Sequence, residues 1–228
     1  MCLRIEPSLF LGTTTMRMFC YLSLALITCS VAQASVQINL GGPDLTNTPP
    51  SATVPDDAIT LLFENFAANT VKLTIDVTGT SKKVTQLLFN VDPLITGLSF
   101  ANVSGPVASK SYGANAKGMG GPLTGFDIEF GFSPSGANGA FWSGSAPAVF
   151  TITRTAGTAT LTESSFSFTN SNDHFGAVHI NNPNGTGGNS GKYGSPPDGV
   201  VPEATTFIVW SLLGLIGTTV FYRRTGFA

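Results

Sequence analysis

From Thr70 to Val77 the chain reads TVKLTIDV, with Val71, Leu73, Ile75 and Val77 alternating against Lys72, Thr74 and Asp76. An extended strand turns successive side chains to opposite faces, so the pattern predicts a strand with one apolar and one wet face. The stretch GFDIEFGF repeats the alternation, with Phe126, Ile128 and Phe130 against Asp127 and Glu129. Further strands are predicted at 59–63, 84–91, 98–103, 149–153, 161–169 and 177–180. No segment of this region carries a helical apolar stripe over two turns or more. Many short strands punctuated by Gly, Asn and Pro predict an all-β domain over residues 59–180, an antiparallel β-sandwich of jelly-roll-like form.

Two polar stretches flank that domain. Residues 41–57, GGPDLTNTPPSATVPDD, are rich in Pro, Thr and Asp, and 35–58 reads as an N-terminal segment outside the folded body. Residues 181–199, NNPNGTGGNSGKYGSPPDG, draw 15 of 19 positions from Gly, Pro, Ser and Asn, so 181–200 reads as a flexible linker. The composition is 42% hydrophobic, but much of that excess lies in two uninterrupted runs, 19–32 and 207–222.

The first run has the layout of an export signal. Arg17 supplies a basic start, residues 19–28 an apolar stretch too short for a stable anchor, and Ala32 and Ala34 the A-x-A spacing that a signal peptidase reads. Cleavage is expected after Ala34, making residues 1–34 the signal peptide. The residues before Met16 include Glu6 and Pro7 and add nothing to the pattern, so Met16 or Met18 is an alternative start. A lipoprotein signal fits poorly, because Thr28 precedes Cys29 where a small residue is required.

The second run predicts a membrane span. Residues 204–222 are 19 uncharged positions, about 28 Å as a helix, with Trp210 near one end and Tyr222 at the other. Arg223 and Arg224 follow at once and orient the tail into the cytoplasm, leaving the body outside. Ahead of the run, Val201-Pro202-Glu203 ends the linker: Pro202 keeps the chain extended and Glu203 places a single charge at the boundary.

This 28-residue tail, 201–228, resembles the PEP-CTERM sorting signal, in which Val-Pro-Glu-Pro precedes a transmembrane run and a short arginine cluster. Val201, Pro202, Glu203, Arg223 and Arg224 match that pattern, while Ala204 stands at the usual second proline. The resemblance implies recognition by an exosortase-type membrane protease, cutting near the motif and release of the body toward the cell surface. The departure at Ala204 bears on how efficiently the motif is processed. The stretch TGFDIEFGFSPSGANGAFWSGSAPAVFTIT also looks like the bodies of some PEP-CTERM proteins.

Charge and cysteine content narrow the function classes. Between Ser35 and Val200, seven Lys and Arg stand against eleven Asp and Glu, a net charge of -4, the opposite of a nucleic-acid-binding surface. Cys2, Cys20 and Cys29 all precede Ala34, so the body holds no disulfide, thiol nucleophile or cysteine metal site. No phosphate-binding glycine loop, zinc-protease motif, nucleophile elbow or EF-hand loop occurs, and the Gly-rich 118–125 reads as a turn.

Few residues remain as candidates for chemistry. His174 and His179 are five apart and face opposite sides of a strand, so pairing them on a metal needs a bend at Gly176; Asp173 could orient His174 as a base, without a nucleophile in view. Asp127 and Glu129 share a face and could act as paired carboxylates or Ca²⁺ ligands, although the wet side of a half-buried strand accounts for them. Phe141 and Trp142, with Tyr112, are the aromatics suited to stacking on sugar rings. No catalytic residue, metal ligand or cofactor site is nominated. The expectation is a non-enzymatic structural or interaction protein, single-pass in the inner membrane before processing and then at the cell surface or in the extracellular polysaccharide. A carbohydrate-binding module is the alternative, and a secreted enzyme the third.

Overall fold

Alternation of the kind seen in residues 70–77 becomes, in three dimensions, strands laid edge to edge. The computed structural model describes residues 34–45, 53–79, 82–133, 141–142, 144–181, 190–195 and 200–202. In chain order the strands are β1 (Ser35–Pro43), β2 (Thr53–Ala67), β3 (Thr70–Val77), β4 (Lys83–Phe89), β5 (Thr96–Ser104), β6 (Ala108–Gly120), β7 (Leu123–Phe132), β8 (Phe141–Trp142), β9 (Ala148–Ala156), β10 (Gly176–Asn181), β11 (Ser190–Gly194) and β12 (Val200–Pro202). All pair antiparallel, in the lateral order β5-β9-β3-β2-β1-β11-β10-β4-β7-β6, with β12 added to β1 and β8 to β4. The two end strands, β5 and β6, are consecutive in the chain, and the sheet curls until it is nearly closed into a barrel. Across the seam, the Tyr112 hydroxyl on β6 donates to the carbonyl of Ile95, just ahead of β5, at 2.8 Å.

The predicted two-faced strand is β3. Val71, Leu73 and Ile75 are fully buried, and Leu73 pairs with Phe63 on one side and Phe150 on the other. On the opposite face Lys72 pairs with Glu64 in register and bridges it at 2.7 Å. The β2–β3 hairpin turns through Asn69 at φ 54°, a left-handed conformation that Asn tolerates, and its side-chain oxygen accepts from the Leu161 amide at 3.3 Å. Phenylalanines fill the interior between the two sides of the curled sheet. Phe63 on β2 lies 5.5 Å from Phe89 on β4, and Phe130 on β7 lies 4.8 Å from Phe150 on β9. Each such fully buried side chain contributes on the order of 1.5–3 kcal/mol.

Three expectations are corrected. Residues 161–169 are not a strand: Glu163–Phe166 form one 3-10 turn, in which the Ser165 hydroxyl accepts from the Thr162 amide and the Thr162 carbonyl from the Ser165 amide. Ser and Thr offer the backbone local partners that compete with a ladder, and the turn drives Phe166 inward to stack on Phe63 at 4.3 Å. The segment 35–58 is not outside the body, since Ile38 and Leu40 of β1 and Ile59 of β2 are fully buried together in the middle of the sheet. Nor is all of 181–200 a tether: β11 pairs with β10 and buries Tyr193 completely.

Glycine makes the last point possible. The contact between β1 and β11 is the pair Gly41 and Gly194; a Cβ on Gly41 would collide with the Pro55 carbonyl, and one on Gly194 would meet the His174 ring at 2.8 Å. A missing side chain thus lets the Pro55 backbone approach Gly41 and the His174 ring approach Gly194, and the same composition reads as a linker in sequence.

Candidate functional site

A break in pairing between β6 and β7 borders a concavity. Tyr112 pairs with Ile128 and Lys117 with Phe126, so β6 spends five steps where β7 spends two, and the extra residues bulge outward. Asn115 in the bulge sits at φ 51°. Asp127 secures it: one carboxylate oxygen accepts from the Asn115 amide at 2.8 Å, the other from the Val91 amide at the exit of β4 at 3.1 Å. Between these elements and the chain after the 3-10 turn lies a cavity of about 190 Å³, lined by Asn90, Tyr112, Asn115, Asp127 and Phe168 among others. Phe168 is 38% exposed and forms an apolar wall open to solvent. Burial, and after it the nearby Asp127 charge, holds the Tyr112 phenol above its ordinary pKa.

The paired-carboxylate expectation divides at this site. Asp127 is only 8% exposed and acts as a backbone tie, not as the wet side of β7. Glu129 is half-buried, accepts from the Gln86 amide at 2.8 Å and lies 3.9 Å from the Lys117 ammonium. Ile128 and Phe130 enter the large core as their alternation predicts, but Phe126 packs in a separate cluster with Leu88, Met119, Leu123 and Ala177, and the bulge of β6 that covers one of the two acids is a neighbour's property.

The histidines do not converge. The His174 Nδ1 lies 3.0 Å from the Ser195 carbonyl oxygen, and the His174 backbone amide donates to the Asn170 side-chain oxygen at 2.9 Å. His179, on β10, pairs its Nδ1 with the Thr85 hydroxyl at 3.0 Å. Burial lowers the His179 pKa, helped by Lys192 and opposed by Asp44. Among the described residues no group of three or more His, Cys, Asp or Glu is placed to hold a metal ion. Gly120 and Gly121, at φ 93° and 59°, form the β6–β7 turn expected of that Gly-rich stretch.

Of the three aromatics considered for sugar stacking, Phe141 is fully buried, 5.1 Å from Phe132, and is not available to a ligand. Phe141 pairs with Val84 and Tyr112 with Ile128, which pairs in turn with Phe89; five residues of β4, about 17 Å, separate the two places. Trp142 pairs through its backbone with Lys83, and its side chain lies outside the described residues. Tyr112 does line the cavity, and its aromatic companion there is Phe168, marked in sequence only by the F-S-F alternation of residues 166–168.

At the ends of the body, Ala34 is exposed and β1 begins at the next residue. Val201 and Pro202 belong to β12, paired with Gln37 and Val36 of β1. Ala32, Glu203, Arg223, Arg224 and the apolar runs lie outside the described residues, among which no helix is long and apolar enough to cross a membrane. No protein-family model, curated protein or solved structure matches the chain.

Proposed function

We propose that this chain is an exported structural or interaction protein of the cell surface or extracellular matrix, sorted through its PEP-CTERM-like tail. The observation that carries the reading is the order Val201-Pro202-Glu203, uncharged run, Arg223-Arg224 behind an export signal ending at Ala34. A signal peptidase removes the N-terminal segment, the tail holds the protein in the inner membrane with its C-terminus cytoplasmic, and an exosortase-type protease cuts near the motif. Strand β1 begins at Ser35, so removal of residues 1–34 would take nothing from the sheet, which supports this reading. The sides of the curled sheet serve as the layers of a jelly-roll-like sandwich.

The test is replacement of Pro202 and Glu203 by Ala in a host that carries an exosortase. Wild type should lose roughly its last 25 residues and leave the inner membrane, while the variant stays full length and membrane-bound, since the apolar run and the arginines are intact. Identical full-length behaviour of both proteins refutes the reading.

A second reading, a carbohydrate-binding module acting on extracellular polysaccharide, is favoured by one observation: the cavity that sets Tyr112 and Phe168 beside Asn90, Asn115 and Asp127.

A further inference from the structure

Each half-buried acid on the outer face of this sheet has a cation beside it: Glu64 has Lys72 at 2.7 Å and Glu129 has Lys117 at 3.9 Å. Asp127 is more buried than either, and no Lys or Arg among the described residues makes an ion pair with it. Its hydrogen-bond donors are two backbone amides, of Val91 and Asn115, which carry no net charge. A carboxylate withdrawn from water and left without a counter-charge is costly, and it attracts any cation that fits the space beside it. That space is present. The cavity of about 190 Å³ that Asp127 lines is also lined by Tyr112, Phe168, Asn90 and Asn115.

We propose that the Asp127 cavity is a binding site for a primary ammonium carried on a small hydroxylated skeleton, of which an amino sugar with a free amine is the form an extracellular polysaccharide would present. The ammonium takes the counter-ion position at Asp127 and lies against the Tyr112 ring, whose π face favours a cation. The Asn90 side-chain oxygen, whose Nδ2 already donates to the His174 carbonyl at 3.4 Å, and the Asn115 side-chain amide suit hydroxyl groups around it, and Phe168 covers the apolar side of the skeleton. A neutral sugar satisfies the amides but leaves the carboxylate uncompensated, so the charge supplies the selectivity. The choice of an amino sugar over a simple amine rests on the second reading above; the ammonium site itself rests on the cavity alone.

Titrating the full-length chain, solubilised in a neutral detergent without sugar headgroups, against glucosamine, glucose and ethanolamine by calorimetry or amide chemical shifts tests this. Glucosamine should bind and shift the Val91 and Asn115 amides, with glucose at least about tenfold weaker, the loss expected of one charge-assisted hydrogen bond. Asp127→Asn should weaken glucosamine by about tenfold or more on the same basis. Because that variant also loosens a backbone tie, Asn115→Gly and Phe168→Ala serve beside it: the first suits φ 51° while deleting the amide, the second removes a solvent-open ring. Both should fold and bind glucosamine several-fold more weakly, whereas wild-type affinity in both overturns the assignment to this cavity. Ethanolamine binding as tightly as glucosamine supports the ammonium site and removes the sugar reading. Equal affinity for glucose and glucosamine overturns the ammonium proposal and leaves the carbohydrate reading standing. No binding of any of the three overturns both at this cavity.

Discussion

Removing the Asp127 carboxylate tests whether this acid is structural or merely one of the charges on a wet strand face. In Asp127→Ala the amides of Val91 and Asn115 lose their acceptors together. The Val91 donor is buried, and leaving it unsatisfied costs about 1–3 kcal/mol, whereas Asn115 is exposed and water can replace its acceptor, so the predicted loss is roughly 1–3 kcal/mol. Asp127→Asn keeps one acceptor oxygen and should lose roughly half as much. An acid on an open strand face changes stability by about 0.5 kcal/mol or less. Urea denaturation of the full-length chain in neutral detergent separates these values through the transition midpoint, provided the slope is constant between variants. Amide exchange locates the loss: Val91 and Asn115 should exchange faster in Asp127→Ala while Leu73 and Phe150, deep in the other half of the sheet, change only with global stability. A loss within ~0.5 kcal/mol of wild type refutes the tie and returns Asp127 to the solvated face.

On β3, Leu73→Ala should cost about 2–5 kcal/mol and the half-buried Thr74→Ala under ~1 kcal/mol, and equal losses would contradict the two-faced strand. Tyr193, fully buried on β11, has its phenol pushed up to about 12 by burial and then by Asp44. Since the folded pKa lies above the unfolded one near ~10, this group's stabilisation is complete below about pH 10 and lost as pH rises toward 12. Tyr193→Phe should flatten the fall of stability in that window, measured by denaturation at stepped pH. Among the described residues the Tyr193 hydroxyl also has no hydrogen-bond partner, so the same variant should be no less stable at neutral pH. N-terminal sequencing of the exported protein should begin at Ser35, and a mature chain retaining an acylated Cys29 would contradict the export signal described above.

The strands that were legible in sequence are those whose burial follows from their own alternation. Strand β3 matches its expected bounds, Thr70–Val77, and β4, β5, β7, β9 and β10 each contain most of the residues expected of them. Strand β6 was not legible, because ASKSYGANAKGMG is polar and glycine-rich, as suits an end strand with a bulge. Strands β1 and β11 sit among residues whose Gly, Pro and Asn content signals a loop, yet β1 is held by its ladder with β2 and β11 by its ladder with β10, and the two meet at Gly41 and Gly194. At the site, Tyr112 and Asp127 were candidates, yet for unrelated roles. Their meeting, and the arrival of Asn90 and Phe168, depends on chain segments far apart in sequence.

Local periodicity by itself determined that this protein is all-β and antiparallel, which face of β3 is apolar, and where the export-like and membrane-like runs fall. Those properties depend on a residue and its neighbours two to four positions away, which one sequence records. Only the tertiary structure decided that the curled sheet nearly closes, that Phe141 is core and Phe168 is not, and that Asp127 is buried with no ion-pair partner among the described residues. Those outcomes follow from which strand lies beside which. Partner choice depends on the packing of the whole apolar interior and on a few glycines that admit close backbones, so no local pattern encodes it.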